Sequence, residues 1–188
     1  MDIIPVERRN EEAKAKQLRR AGIVPCCVYG GNLAESISIQ MDQQTANKLF
    51  RVKRNGSKVQ LKLEEQTIPV QIKDKTRNFA DNGIEHISFQ ALKADQKVNS
   101  VAHIILENGD TVAGVLEKML LEVPYASLPN DMIDTVRVDL EGMRPGTTLT
   151  VGDIPEFKQE TIALQVDADS MVVRIRDRKR STAGKAEE

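Results

Sequence analysis

Between residues 14 and 31 the chain reads K-A-K-Q-L-R-R-A-G-I-V-P-C-C-V-Y-G-G, which puts cations, an aromatic and paired glycines into one short stretch. Lys14, Lys16, Arg19 and Arg20 fall on a basic helical segment that Gly22 is placed to stop. Four such side chains can neutralise phosphates, although a solvated helix face is the plainer use of a Lys/Arg run. Tyr29, at the end of the apolar strand that follows, offers a ring for stacking, and Gly30 and Gly31 permit close approach of a polyanion backbone.

The elements around this stretch must position it. Residues 3–8 read as a strand, 11–21 as a helix, 24–29 and 36–41 as strands. Asp42 is placed to N-cap a helix with Ala46, Leu49 and Phe50 on one side, and 51–57 reads as a turn around Asn55-Gly56. Strands over 58–63 and 67–75 flank a Glu-Glu-Gln hairpin loop; a loop over 79–83 and a strand over 85–92 follow. This order predicts an α+β sheet with helices over one face.

Alternation assigns faces. With Val24, Cys26 and Val28 inward, Tyr29 points out; with Ile68, Val70 and Ile72 inward, Gln71 and Lys73 point out; with Ile87 and Phe89 inward, His86 and Ser88 point out. The outward set of Tyr29, Gln71, Lys73, His86 and Ser88 combines a stacking ring, a cation and hydrogen-bonding groups, a surface suited to the edge of a folded RNA.

Catalysis and metal binding find little support. Cys26 and Cys27 are adjacent, so they are poorly placed for a mutual disulfide, and no second cysteine pair completes a zinc site; both read as buried thiols in a reducing cytoplasm. A Cys27–His86 nucleophile pair is formally conceivable, but nothing in the apolar strand favours a thiolate. His103, in V-A-H-I-I-L, reads as a strand residue with a satisfied hydrogen bond, and Tyr125 as packing or a protein contact. There is no phosphate-binding loop or dinucleotide glycine pattern. No catalytic residue, metal or cofactor is expected.

The net charge of -1 conceals segregation: residues 1–90 carry +4, 91–173 carry -8 and the last fifteen +3. That pattern predicts two domains with different partners, over 1–92 and 93–176, and a disordered tail over 177–188. The second half reads as a small β domain with little helix. Its strands fall over 98–106, 135–140, 147–151, 161–166 and 171–175, and 110–123 is ambiguous between helix and strand. No membrane span or secretory signal pattern is present.

The ordered motifs L-R-R-A-G-I-V-P, V-Y-G-G, P-V-Q-I-K-D-K-T-R and E-H-I-S-F, followed by a β-rich acidic extension with G-V-L-E, resemble the bacterial large-subunit ribosomal protein L-twenty-five family in its two-domain, general stress protein CTC form. The resemblance covers about residues 3–176. It implies a mainly β fold with α (α+β): an N-terminal six-stranded β-barrel-like RNA-binding domain with helices, then a C-terminal β domain. It implies binding to 5S ribosomal RNA in the central protuberance of the large ribosomal subunit, and a cytoplasmic, ribosome-associated location. Position by position it points to Lys16, Arg19, Tyr29, Gly30, Arg77, His86 and Ser88. The family's Gly-Lys-Gly run before the helix is here N-E-E-A-K-A-K, its His-x-Asp-Phe has Ser88 for the Asp, and Gln17 stands where Arg is frequent.

The resulting expectation is a non-catalytic RNA-binding protein of the large subunit. It would use Lys14, Lys16, Arg19, Arg20, Tyr29, Gly30, Lys73, Arg77, His86 and Ser88, contact neighbouring ribosomal proteins, and take no membrane or small-molecule substrate. The rival is a stress-linked protein-interaction module whose RNA contact is secondary; an enzyme is the third reading.

Overall fold

The computed structural model describes residues 3–78 and 83–177. The expected tail, from residue 178 on, and most of the expected 79–83 loop lie outside the described residues.

Eight elements build the first half: β1 (Ile3–Arg8), α1 (Ala15–Arg20), β2 (Ile23–Tyr29), β3 (Ile37–Asp42), α2 (Gln43–Val52), β4 (Lys58–Leu63), β5 (Gln66–Arg77) and β6 (Ile84–Ala91). The six strands close into a barrel in the order β1-β3-β2-β6-β5-β4. Parallel pairing of β1 with β4 completes the ring, so the sheet has no open face for helices to lie across in the manner the sequence suggested. The expected inward residues are inward: Val24, Cys26, Val28, Val70, Ile72, Ile87 and Phe89 are buried in one core, which α2 supplements with Ala46 and Leu49.

Local hydrogen bonds set the element ends. The first helix starts at Ala15 rather than 11, because the backbone before it is tied elsewhere: Asn10 Oδ1 accepts from the Glu12 N–H at 3.0 Å, and Gln17 Oε1 accepts from the Lys14 N–H at 2.9 Å. Gly22 follows in the left-handed region at φ 76°. Asp42 caps α2 as expected, its Oδ1 accepting from the Thr45 N–H at 2.8 Å. The second helix runs to Val52, into the expected turn, and Lys75 Nζ reaches back to donate to the Phe50 and Lys53 carbonyls at its end.

One irregularity redirects a whole strand end. Across the β5–β6 pair Ile72 faces Phe89 but Asp74 faces Ser88, so Lys73 is an extra, bulged residue. Beyond it the alternation inverts: Lys75 faces Ile87, and both Lys75 and Arg77 lie over the Phe50 ring, at 4.6 Å and 4.0 Å from its centre.

The second half is strand-built, as expected. It contains β7 (Val98–Glu107), β8 (Val115–Lys118), β9 (Glu122–Ser127), β10 (Thr135–Asp139), β11 (Thr148–Thr150), β12 (Ala163–Leu164) and β13 (Met171–Arg176). These make a four-stranded sheet, β10-β7-β9-β12, and a three-stranded sheet, β11-β13-β8. The ambiguous 110–123 segment forms no α-helix: it leaves a 3-10 turn at Gly109–Thr111, supplies β8, which pairs with β13, and enters β9, which pairs with β7. The strand expected over 161–166 shrinks to Ala163–Leu164, and single 3-10 turns at Val151–Asp153 and Pro155–Lys158 went unread. Of the two readings of Tyr125, packing or a protein contact, the structure takes packing: its ring is fully buried, and its hydroxyl donates to the Ile133 carbonyl at 2.9 Å and accepts from the Ile133 N–H at 2.7 Å.

The halves are stitched together. Lys58 Nζ donates to the Pro129 carbonyl at 2.8 Å, and Ser100 Oγ to the Gly56 carbonyl at 3.2 Å. His103 Nε2 donates to the Asn55 carbonyl at 2.9 Å, the satisfied bond expected of it.

Candidate nucleic-acid interface

Lys14, Lys16, Arg19 and Arg20 are all exposed, while Leu18 pins the helix to the body of the protein. A cleft of about 430 Å³ opens beside them, lined by Lys16, Arg19, Arg20, Gln43, Asn78 and Glu85. Of these, Gln43, Asn78 and Glu85 were not foreseen, since they come from α2 and from either side of residues 79–82. The Arg19 guanidinium donates to the Glu85 carbonyl at 3.3 Å. That bond fastens the basic helix next to His86 on β6, making one continuous surface of helix cations and strand side chains.

On the strand side, Tyr29, His86 and Ser88 point outward as alternation requires. Tyr29 is 36% exposed, its hydroxyl pKa raised by burial first and then by Cys27 and Asp74 nearby. The parallel β2–β6 register sets Cys27 opposite Ser88 and Tyr29 opposite Gln90. Cys27 Sγ therefore lies 3.3 Å from His86 Nε2 and 3.7 Å from Ser88 Oγ. The expectation of two buried thiols fails here: Cys26 is buried, but Cys27, one residue on, takes the outer face and is only half-buried.

The remaining predicted residues go elsewhere. Gln71 points out of the barrel but is fully buried, because the second half covers it: its amide donates to the Asn99 carbonyl at 3.0 Å and to Gln90 Oε1 at 2.9 Å. Lys73, on the bulge, donates to the same Asn99 carbonyl at 3.2 Å. Arg77 stacks on Phe50 through the inverted alternation. The single polar face thus holds at Tyr29, His86 and Ser88 and fails at Gln71. Gly30 adopts φ 79°, and a Cβ there would meet Gln90 Cγ at an ordinary 3.5 Å, so backbone conformation rather than crowding calls for glycine. Among the described residues no group of His, Cys, Asp and Glu is arranged to hold a metal ion, and no helix is long and apolar enough to cross a membrane.

This geometry has relatives. Residues 4–89 match the model of the ribosomal L25p family, and residues 97–179 match that of the C-terminal domain of ribosomal protein TL5. A protein of Xanthomonas campestris named large ribosomal subunit protein bL25 is 32% identical over 175 residues, which span 82% of each chain. The chain belongs to the ribosomal L25p family. A bL25 of Syntrophomonas wolfei is 25% identical over 91% of this chain and 83% of its own, and one of Xanthomonas euvesicatoria 31% identical over 80% and 75%. The ordered motifs and the matched relatives agree on the family, and with it the molecule is a structural ribosomal protein and not an enzyme. Gln17 has a local role: its Oε1 accepts from the Lys14 N–H and starts α1.

Proposed function

We propose that the barrel binds 5S ribosomal RNA in the central protuberance of the large ribosomal subunit. In this reading residues 1–92 are the RNA-binding domain, and 93–176 form an acidic β domain that stands off the RNA and meets neighbouring ribosomal proteins. The observation that carries it is the Arg19–Glu85 bond, which ties α1, with its exposed Lys16, Arg19 and Arg20, to the strand that carries His86 and Ser88. Lys16, Arg19 and Arg20 neutralise phosphates along the cleft, and Lys14 adds charge at the start of the helix. His86 and Ser88 offer hydrogen bonds to base edges or 2′-hydroxyls, and Tyr29 a ring for a sugar or base. Lys73 and Arg77 contribute positive field from the barrel's flanks. The net charge of -8 over 91–173 repels a polyanion and favours basic protein neighbours.

The test is binding of the full chain to 5S ribosomal RNA across a salt series, with transfer RNA as competitor. Affinity should survive the competitor and fall linearly in log K against log salt. Arg19→Ala should weaken binding about tenfold and lower the salt slope by about 1. An unchanged affinity and slope would remove the helix from the interface.

A further inference from the structure

We propose that Cys27 is a thiol modification site: with His86 as proton acceptor, its sulfur exchanges with low-molecular-weight disulfides of the glutathione class and is capped as a mixed disulfide, while the adjacent Cys26 stays inert. The proposal concerns the free protein and does not depend on the RNA reading.

Two neighbouring cysteines have opposite surroundings. Cys26 faces the barrel interior at 2% exposure, set between Ile39 and Ile87 in the strand register. Burial pushes its thiol up to about 12, so at neutral pH it holds its proton and presents no nucleophile. Cys27 faces outward and is reached by solvent. It sits in a pair, not alone: the His86 imidazole stands 3.3 Å away on the next strand, with Ser88 Oγ at 3.7 Å and the exposed Ser38 across the ladder on β3. Nucleophile and base within hydrogen-bond reach, on the outer and only half-buried side of the strand, is the arrangement thiol exchange needs.

In the step itself the Cys27 S–H bond breaks and the proton passes to His86 Nε2, which is the unprotonated nitrogen when Nδ1 carries the hydrogen. The thiolate attacks one sulfur of R–S–S–R. A Cys27–S–S–R bond forms, the original disulfide bond breaks, and R–S⁻ leaves, taking up the proton from the imidazolium. The disulfide is the oxidant, and one thiol is released for each consumed. A free thiol reverses the step by the same route. The adduct projects from the strand face between Tyr29 and Ser88. Among the described residues, the titratable groups near the sulfur include His86 on β6, Cys26 and Tyr29 on its own strand and, opposite Ser88, Asp74 on β5; Ser38 is its neighbour on β3.

The experiment treats the native full chain with oxidised glutathione and follows adduct formation by intact mass, across pH, for the parent, Cys26→Ser, Cys27→Ser and His86→Gln. One adduct should form on the parent and on Cys26→Ser. It should be lost in Cys27→Ser, and should form roughly tenfold more slowly in His86→Gln with a changed pH profile, which a merely structural loss would not produce. Two adducts forming at equal rates, an adduct surviving in Cys27→Ser, or a His86→Gln protein that matches the parent in rate and profile would each overturn the proposal.

Discussion

Residues 3–91 and 98–176 are both built mainly of strands, yet only the first set closes. In the barrel β1 bonds to β3 on one side and β4 on the other, so no strand edge is left in the ring. In the second half β10, β12, β11 and β8 all end their sheets. The cores differ too. The barrel is filled around Phe89 mainly by aliphatic side chains, with the Cys26 thiol turned back on the Val24 carbonyl. The second half centres on Tyr125, whose hydroxyl must be satisfied and is bonded twice to Ile133. Charge follows the same division, +4 over 1–90 and -8 over 91–173. Closure hides the barrel's backbone, so whatever it recognises must be read by side chains on its outer face. The acidic half keeps the edges of its two sheets and a charge that turns a polyanion away.

The sharpest break in this comparison is Phe89→Ala. It empties the middle of the barrel and should cost about 3–5 kcal/mol. Urea unfolding followed by an Ile/Val-methyl signal from each half should show the barrel failing first; equal loss in both halves would mean that they are one cooperative unit. Gly56→Ala tests the seam. Gly56 sits at φ 87°, and a Cβ would come within 2.7 Å of Ser100 Oγ and of the Val101 carbonyl oxygen. The substitution should cost about 2–3 kcal/mol and loosen the halves, seen as faster amide exchange at Asn99 to Val101. An unaltered exchange rate would show that the seam does not depend on this turn.

The smallest effect is confined to the barrel. Thr45 hydrogen bonds hold the Asp42 carboxyl below the usual aspartate range. Its folded value is depressed, so its stabilisation is complete above the unfolded value of about 3.9 and is lost as pH falls through the folded one. Asp42→Ala should cost about 1 kcal/mol at neutral pH. It should also flatten the acid limb of the stability profile, measured by urea midpoints between neutral and acid pH; an acid limb as steep as the parent's would place the titration elsewhere.

Much of the barrel was legible because its signals are local. Alternation named the buried side of β2, β5 and β6, the Asp42 cap marked α2, and Asn55-Gly56 marked a turn. The second half was legible as strand-rich but not in its extents, since β12 is too short for periodicity to register and the strand parts of 110–123, in β8 and at the start of β9, are fixed by pairing with β13 and β7. In the candidate site the exposed cations of α1 and the outward Tyr29, His86 and Ser88 followed from spacing. Gln71 did not: alternation correctly sent it out of the barrel, but a contact with Asn99 buried it there.

By itself the sequence determined sidedness, charge and family. A two-residue period separates inside from outside wherever the strand is regular, and segregated Lys/Arg and Asp/Glu survive any folding. The tertiary structure decided which outward residues meet. One bulged residue at Lys73 inverted the phase of β5 and sent Lys75 and Arg77 to Phe50. The parallel register of β2 against β6 placed Cys27 on His86, residues far apart in the chain. Periodicity states which face a side chain takes; only long-range pairing, with its bulges and its covering layer, states what stands beside it.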